Sequence, residues 1–210
     1  MIMLGFLKQL FSSEPDPDLH GRELFYLTSD AQLQGILRHI QQLVDSAADA
    51  ILLVAYFPTL LHQLEELVTQ LPEDWPVRAL PAASLTTQVA SGMQLRETDR
   101  IEIIVAERHP LPETDLQPQR FAAALSCRSE VVRFLSLQDP FLQTVFSDSS
   151  RSVLQKLMGE DGQQSEAIES NMATRRVLKA QQDLAARVKA PVPAESLQQW
   201  LQLNAPDTVH

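Results

Sequence analysis

Two apolar runs bracket a polar turn in the middle of the chain. Ile101 to Ala106 is continuous and rich in β-branched residues, Val131 to Ser136 is the second run, and Glu107, Arg108 and His109 follow the first directly. Between them the spacing predicts a helix from about Asp115 to Cys127. Strand, turn, helix and strand in that order form the building block of a parallel sheet. Ligands of such sheets gather at the carboxyl ends of the strands, which makes Glu107, Arg108 and His109 the candidate site.

The same alternation extends in both directions. Glu23 to Thr28 predicts a short strand, with Ser29 or Asp30 capping a helix from Ala31 to Val44 whose apolar face is Leu33, Ile36, Leu37, Ile40 and Leu43. Ala50 to Phe57 is an unbroken apolar run, as a strand covered on both faces requires. Pro58 suits the first turn of a helix running down to Pro72, and Val77 to Leu80 predicts the next strand. Ser84 to Thr98 is poorly patterned. Beyond Asp139-Pro140 helices are expected through Phe146, from Ser149 to Met158, from Glu166 to Val188 and from Ala194 to Leu203. At the other end Met3, Leu4, Phe6, Leu7, Leu10 and Phe11 stand at helical spacing, ahead of a proline-broken acidic linker from Ser12 to Asp18. A short, very apolar helix on such a tether suits a membrane surface, a partner's groove or the domain's own surface. The divisions read from this pattern are residues 1–18 (helix and linker), 19–147 (sheet domain) and 148–210 (helical extension).

Composition narrows the chemistry. The chain has 210 residues, 44% hydrophobic and 21% charged, with a formal net charge of −10, which argues against a groove that neutralises nucleic-acid phosphates. Its one cysteine, Cys127, fits a reducing cytoplasm. No stretch approaches the about twenty apolar residues that span a bilayer. His39, His62 and His210 lack ligand spacing, so no metal is expected. There is no Gly-x-x-x-x-Gly-Lys-Ser/Thr phosphate loop and no Gly-x-Ser-x-Gly elbow.

The run from Ile101 to Phe141 resembles the second motor half of the preprotein translocase ATPase SecA. Glu107, Arg108 and His109 match that family's Glu-Arg-His turn, and Asp115 and Gln117 follow at its spacing. Arg133, Phe134, Leu135, Ser136, Leu137, Gln138 and Asp139 restate its closing segment, and Ile168, Glu169, Arg175, Ala180 and Gln181 match its long following helix. The departures concern nucleotide. Gln119, Phe121 and Ala124 stand where the family has its three motif arginines, Arg120 is one residue out of place, and Ala55-Tyr56-Phe57-Pro58 replaces a small polar turn.

The resemblance implies a three-layer RecA-like (P-loop NTPase-like) α/β domain, with a parallel sheet of about five strands, helices on both faces and a C-terminal helical extension. It implies a pseudo-ATPase: a non-catalytic binding module of protein export that takes no cofactor. The implied protein partner is SecA, the translocon or a client chain. The implied location is cytoplasmic or peripheral on the inner face of the cell membrane, through Met3, Leu4, Phe6, Leu7, Leu10 and Phe11. Glu107, Arg108, His109, Asp115 and Gln117 become a vestigial motor turn, with Arg108 and His109 capping helix ends or pairing with Asp115. Two alternatives stand beside it. One is a cytosolic assembly protein that oligomerises through the N-terminal helix. The other is an enzyme using Glu107 and His109, which requires an open pocket where both side chains converge and which Tyr56 and Phe57 would fill.

Overall fold

The apolar runs become five strands of one sheet, all parallel: β1 (Arg22–Tyr26), β2 (Ala50–Ala55), β3 (Val77–Pro81), β4 (Arg100–Val105) and β5 (Arg128–Ser136), in the order β1-β5-β4-β2-β3. The computed structural model describes residues 21–147 and 167–208, together with residues 149 and 152. The helices are α1 (Ser29–Asp45), α2 (Pro58–Thr69), α3 (Thr87–Gly92), α4 (Pro112–Asp115), α5 (Gln117–Ala124), α6 (Pro140–Val145), α7 (Asn171–Arg187) and α8 (Leu197–Asn204). The fold is a three-layer α/β architecture of the RecA-like or Rossmann type.

The period of two along each strand builds the layers. Ile51 and Leu53 of β2 pack with Ile36 and Ile40 of α1 and Leu64 of α2 on one face. Leu52 and Val54 turn to the opposite face, against Ala90 of α3 and Phe121 of α5. A third cluster forms at the β1–β5 side, where Phe25, Leu135 and Phe141 meet Val177 and Leu184 of α7 and Trp200 of α8. Helices α7 and α8 thus share a buried cluster with β1, β5 and α6.

Several boundaries depart from the expected ones for local reasons. Thr28, not Ser29 or Asp30, caps α1, its hydroxyl accepting the Ala31 amide at 3.1 Å. The single helix expected from Asp115 to Cys127 is two short ones, α4 and α5, separated at Leu116, and each has proline in its first turn. The second ends at Ala124, so β5 begins at Arg128 rather than Val131. The helix expected from Glu166 starts only at Asn171, after the Ser170 cap. Ahead of it Ile168 exchanges two backbone hydrogen bonds with Phe25, an antiparallel bridge along the open edge of β1. The unpatterned stretch from Ser84 to Thr98 contains α3, capped by Thr86. The expected helix from Met1 to Phe11 lies outside the described residues, as does that from Ser149 to Met158 apart from Ser149 and Ser152.

Candidate functional site

The strand order places a topological switch point between β2 and β4: the chain leaves β2 outward to β3, and leaves β4 in the opposite direction to β5. In an open parallel sheet the crevice beyond such a point is the ligand position. Here Tyr56-Phe57 follow β2 and Ala106-Glu107 follow β4. The whole turn from Glu107 to His109 is buried.

Arg108 is fully buried and carries two carboxylates, Nη2 donating to Glu23 of β1 and Nη1 to Asp115 of α4. Arg133 of β5 is equally buried. It donates to the Asp115 carbonyl at 2.7 Å and the Gln119 side chain at 2.9 Å, with the Asp115 carboxylate 3.6 Å away. Sheet register supplies part of this cluster, since Glu23 and Arg133 face each other across β1 and β5. Two cations thus neutralise two anions inside the protein. Burial opposes the Arg108 charge, yet Asp115 and Glu23 outweigh it and push its pKa up.

His109 has a different setting. Its backbone amide donates to Asp115 at 2.9 Å, and its Nδ1 accepts the Leu111 amide at 3.0 Å. Its ring stacks on Phe57, 5.6 Å between centroids, with Tyr56 and Trp200 edge-on at 5.4 and 5.5 Å. Burial lowers its pKa to about 4 against the pull of Asp115, so the imidazole is neutral at physiological pH. Gln181 of α7 holds the His109 carbonyl at 2.7 Å.

Glu107 takes a third direction. One carboxyl oxygen, Oε1, accepts the amides of Tyr56 at 2.7 Å and Phe57 at 3.0 Å, Phe57 being the cap residue of α2. Burial raises its pKa to about 8, the Asp139 charge adding to this and the two amides opposing it. Asp139 caps α6, accepting the Phe141 and Leu142 amides at 2.8 and 3.2 Å, and burial raises it to about 7. Both carboxyls line a cavity of about 380 Å³ whose remaining walls come mainly from the first turns of α1, α2 and α8. Ser29, Gln32, Gln63 and Gln198 supply polar atoms, and Leu33, Leu60 and Leu197 supply apolar surface.

Of the residues singled out in the sequence, Arg108 and Asp115 pair. Glu107 and His109 do not meet, the first lining the cavity and the second packed among Phe57, Tyr56 and Trp200. The aromatic pair after β2 fills the space beside the turn, with the Tyr56 hydroxyl donating to the Asp115 carbonyl at 2.8 Å. Gln117 reaches the Leu85 carbonyl at 3.3 Å. Arg120, the displaced arginine, pairs with exposed Glu113 at 2.6 Å. Met3, Leu4, Phe6, Leu7, Leu10 and Phe11 lie outside the described residues. Sequence reasoning missed Glu23 and Thr174, which join the ion cluster, and the cavity-facing role of Asp139; the strand-then-Asp-Pro junction was the one available signal for the last.

Among the described residues no helix is long and apolar enough to cross a membrane, and no group of three or more His, Cys, Asp or Glu could hold a metal ion. Comparison with family models and with curated proteins finds no match.

Proposed function

We propose that this chain is a nucleotide-independent binding module, related to the second motor half of SecA, that serves protein export at the inner face of the membrane. One observation supports it above others: the groups of the motor-like turn are committed inside the protein. Phosphoryl transfer needs cations and amide donors aimed at the phosphates. Arg108 is taken by Glu23 and Asp115, the Tyr56 and Phe57 amides just ahead of α2 are taken by Glu107, and the Thr59 amide in its first turn by the Glu195 carbonyl. The lining of the cavity is acidic, with no arginine or lysine among its described residues. A triphosphate entering there would meet two carboxyls and no countercharge.

The test has two arms. Calorimetry with Mg-ATP and Mg-ADP is expected to give no heat, and a micromolar binding isotherm would overturn the nucleotide-independent reading. Purified SecA, translocon in nanodiscs and an unfolded client are then titrated separately with the full chain. Binding to one of them supports the export reading, and binding to none removes it. Deleting residues 1–11 is expected to abolish co-sedimentation with anionic vesicles. Unchanged partitioning would remove the membrane attachment, and a loss of self-association on light scattering would favour the assembly alternative.

A further inference from the structure

The cavity at the switch point has an unusual balance of charge. At the start of α2 the partial positive charge of a helix N-terminus is an ordinary place for a ligand's phosphate. In this chain Glu107 occupies it: the side chain is 4% exposed and Oε1 takes both the Tyr56 and Phe57 amides. Its second oxygen, Oε2, meets no partner among the described residues while the side chain lines the cavity. Asp139 repeats the arrangement at α6, one oxygen holding two amides. Carboxyls thus take these amides, and both side chains line the same solvent-open cavity.

The rest of the lining decides what fits. The walls from α1, α2 and α8 bring serine, threonine, glutamine, leucine and phenylalanine side chains and, among the described residues, no titratable group. Arg108 is held by Glu23 and Asp115, and His109 is packed against Phe57 and Trp200 on the other side of the turn. Two carboxyls with no cation among the lining residues, polar amide side chains around them and leucines at the wall suit a charged head on an aliphatic stem. We propose that this cavity binds an ammonium or guanidinium group carried on an apolar stem, the chemistry of a lysine or arginine side chain, with Glu107 and Asp139 as its counterions.

The inference rests on the binding-module reading and names the chemistry that the module grips. It also carries a proton linkage. With Glu107 near 8 and Asp139 near 7, both carboxyls are partly protonated in the empty cavity at neutral pH. An entering cation favours the ionised forms, so binding releases protons and tightens as pH rises.

N-acetylarginine amide, agmatine, an arginine-containing tripeptide and inorganic phosphate serve as probes for the full chain. Calorimetry at pH 6.5 and 8.5, in buffers of different ionisation enthalpy, is expected to show cation binding at least tenfold tighter at the higher pH, with proton release at pH 6.5. Tighter binding of the tripeptide than of agmatine assigns the group to a polypeptide, and the reverse assigns it to a free amine. Glu107→Gln and Asp139→Asn keep an oxygen for the helix amides, so the double variant is expected to fold and to bind at least tenfold more weakly. Gln63→Trp, placed at an exposed position of the rim, is expected to block binding while leaving both carboxyls in place. No heat from any cation at tens of millimolar, equal binding by the double variant, or binding of phosphate in the cavity would overturn the proposal. Cation binding together with failure of all three export partners would retain the site and remove the export reading.

Discussion

Glu23 accepts the Thr174 hydroxyl at 2.8 Å while its other oxygen takes Arg108, so the edge strand and a helix 151 residues later are fastened through one carboxylate. The second tie is Gln181 on the His109 carbonyl, two turns further along α7. These bonds seat α7 on the turn that follows β4. They also fix the Arg108 side chain and the His109 backbone in place. The turn is where the C-terminal segment is docked.

Arg108 is the hub of that docking. Replacing it with Met leaves Glu23 buried without its cation and Asp115 with Arg133 alone, a loss of about 3–5 kcal/mol. Arg108→Lys is expected to rescue little, because one ammonium cannot reproduce the planar fork that reaches two carboxylates. Urea unfolding followed by circular dichroism measures both. A Met variant within about 0.5 kcal/mol of the parent, the range of an ordinary surface change, would mean the ion cluster contributes no stability.

Glu107 gives stability an unusual dependence on pH. Its folded pKa, about 8, lies above the ordinary glutamate value of 4.5, so between these values the folded state holds a proton that the unfolded chain has released. Stability from this group is full at low pH and is lost as pH rises through the window, by at most about 1.4 kcal/mol per pH unit. Glu107→Gln cannot release that proton. The variant is expected to gain on the parent steadily between pH 5 and 8 in urea midpoint, and a constant difference would show that Glu107 is not held protonated.

The layers were legible where burial is total and the pattern needs no partner. Ile51 to Ala55 is buried on both faces, and its apolar run announces that directly. Helix α3 was not legible, because among its six residues only Ala90 is buried and no periodic stripe can form. The start of α7 was hidden by a long-range fact, the pairing of Ile168 with Phe25. The same division runs through the site. Arg108 and Asp115 are seven residues apart and could be paired from the sequence, whereas Glu23 and Arg133 are neighbours only through strand register. The convergence of Glu107 and Asp139 depends on which strands lie side by side, and that order is a property of the whole sheet.

His109 is expected to remain neutral through most of the acid range. Its folded pKa of about 4 lies below the usual 6.5, so the unfolded chain takes up a proton first as pH falls through that interval. This group therefore withdraws stability on acidification, opposite in sign to Glu107. In an imidazole NMR titration the His109 signals should stay in the neutral position to below pH 5. An imidazolium at pH 6 would contradict the stacked, water-poor setting between Phe57 and Trp200.

Gly35 tests the packing of α1 on the sheet. A Cβ at that position would run into the Tyr26 hydroxyl and ring carbons, on the strand beneath the helix. Alanine favours helix over glycine by about 1 kcal/mol, so an open site would make Gly35→Ala stabilising. Here overpacking against a buried tyrosine, itself stacked on Phe134 at 5.8 Å, is expected to reverse the sign and cost about 1–3 kcal/mol. Tyr26→Phe in the same chain removes the nearest clashing atom and should recover part of the loss, giving a measurable coupling between the two positions. Additive effects, or a stabilised Gly35→Ala, would show that α1 can lift from β1 at little cost and that the contact does not set its position.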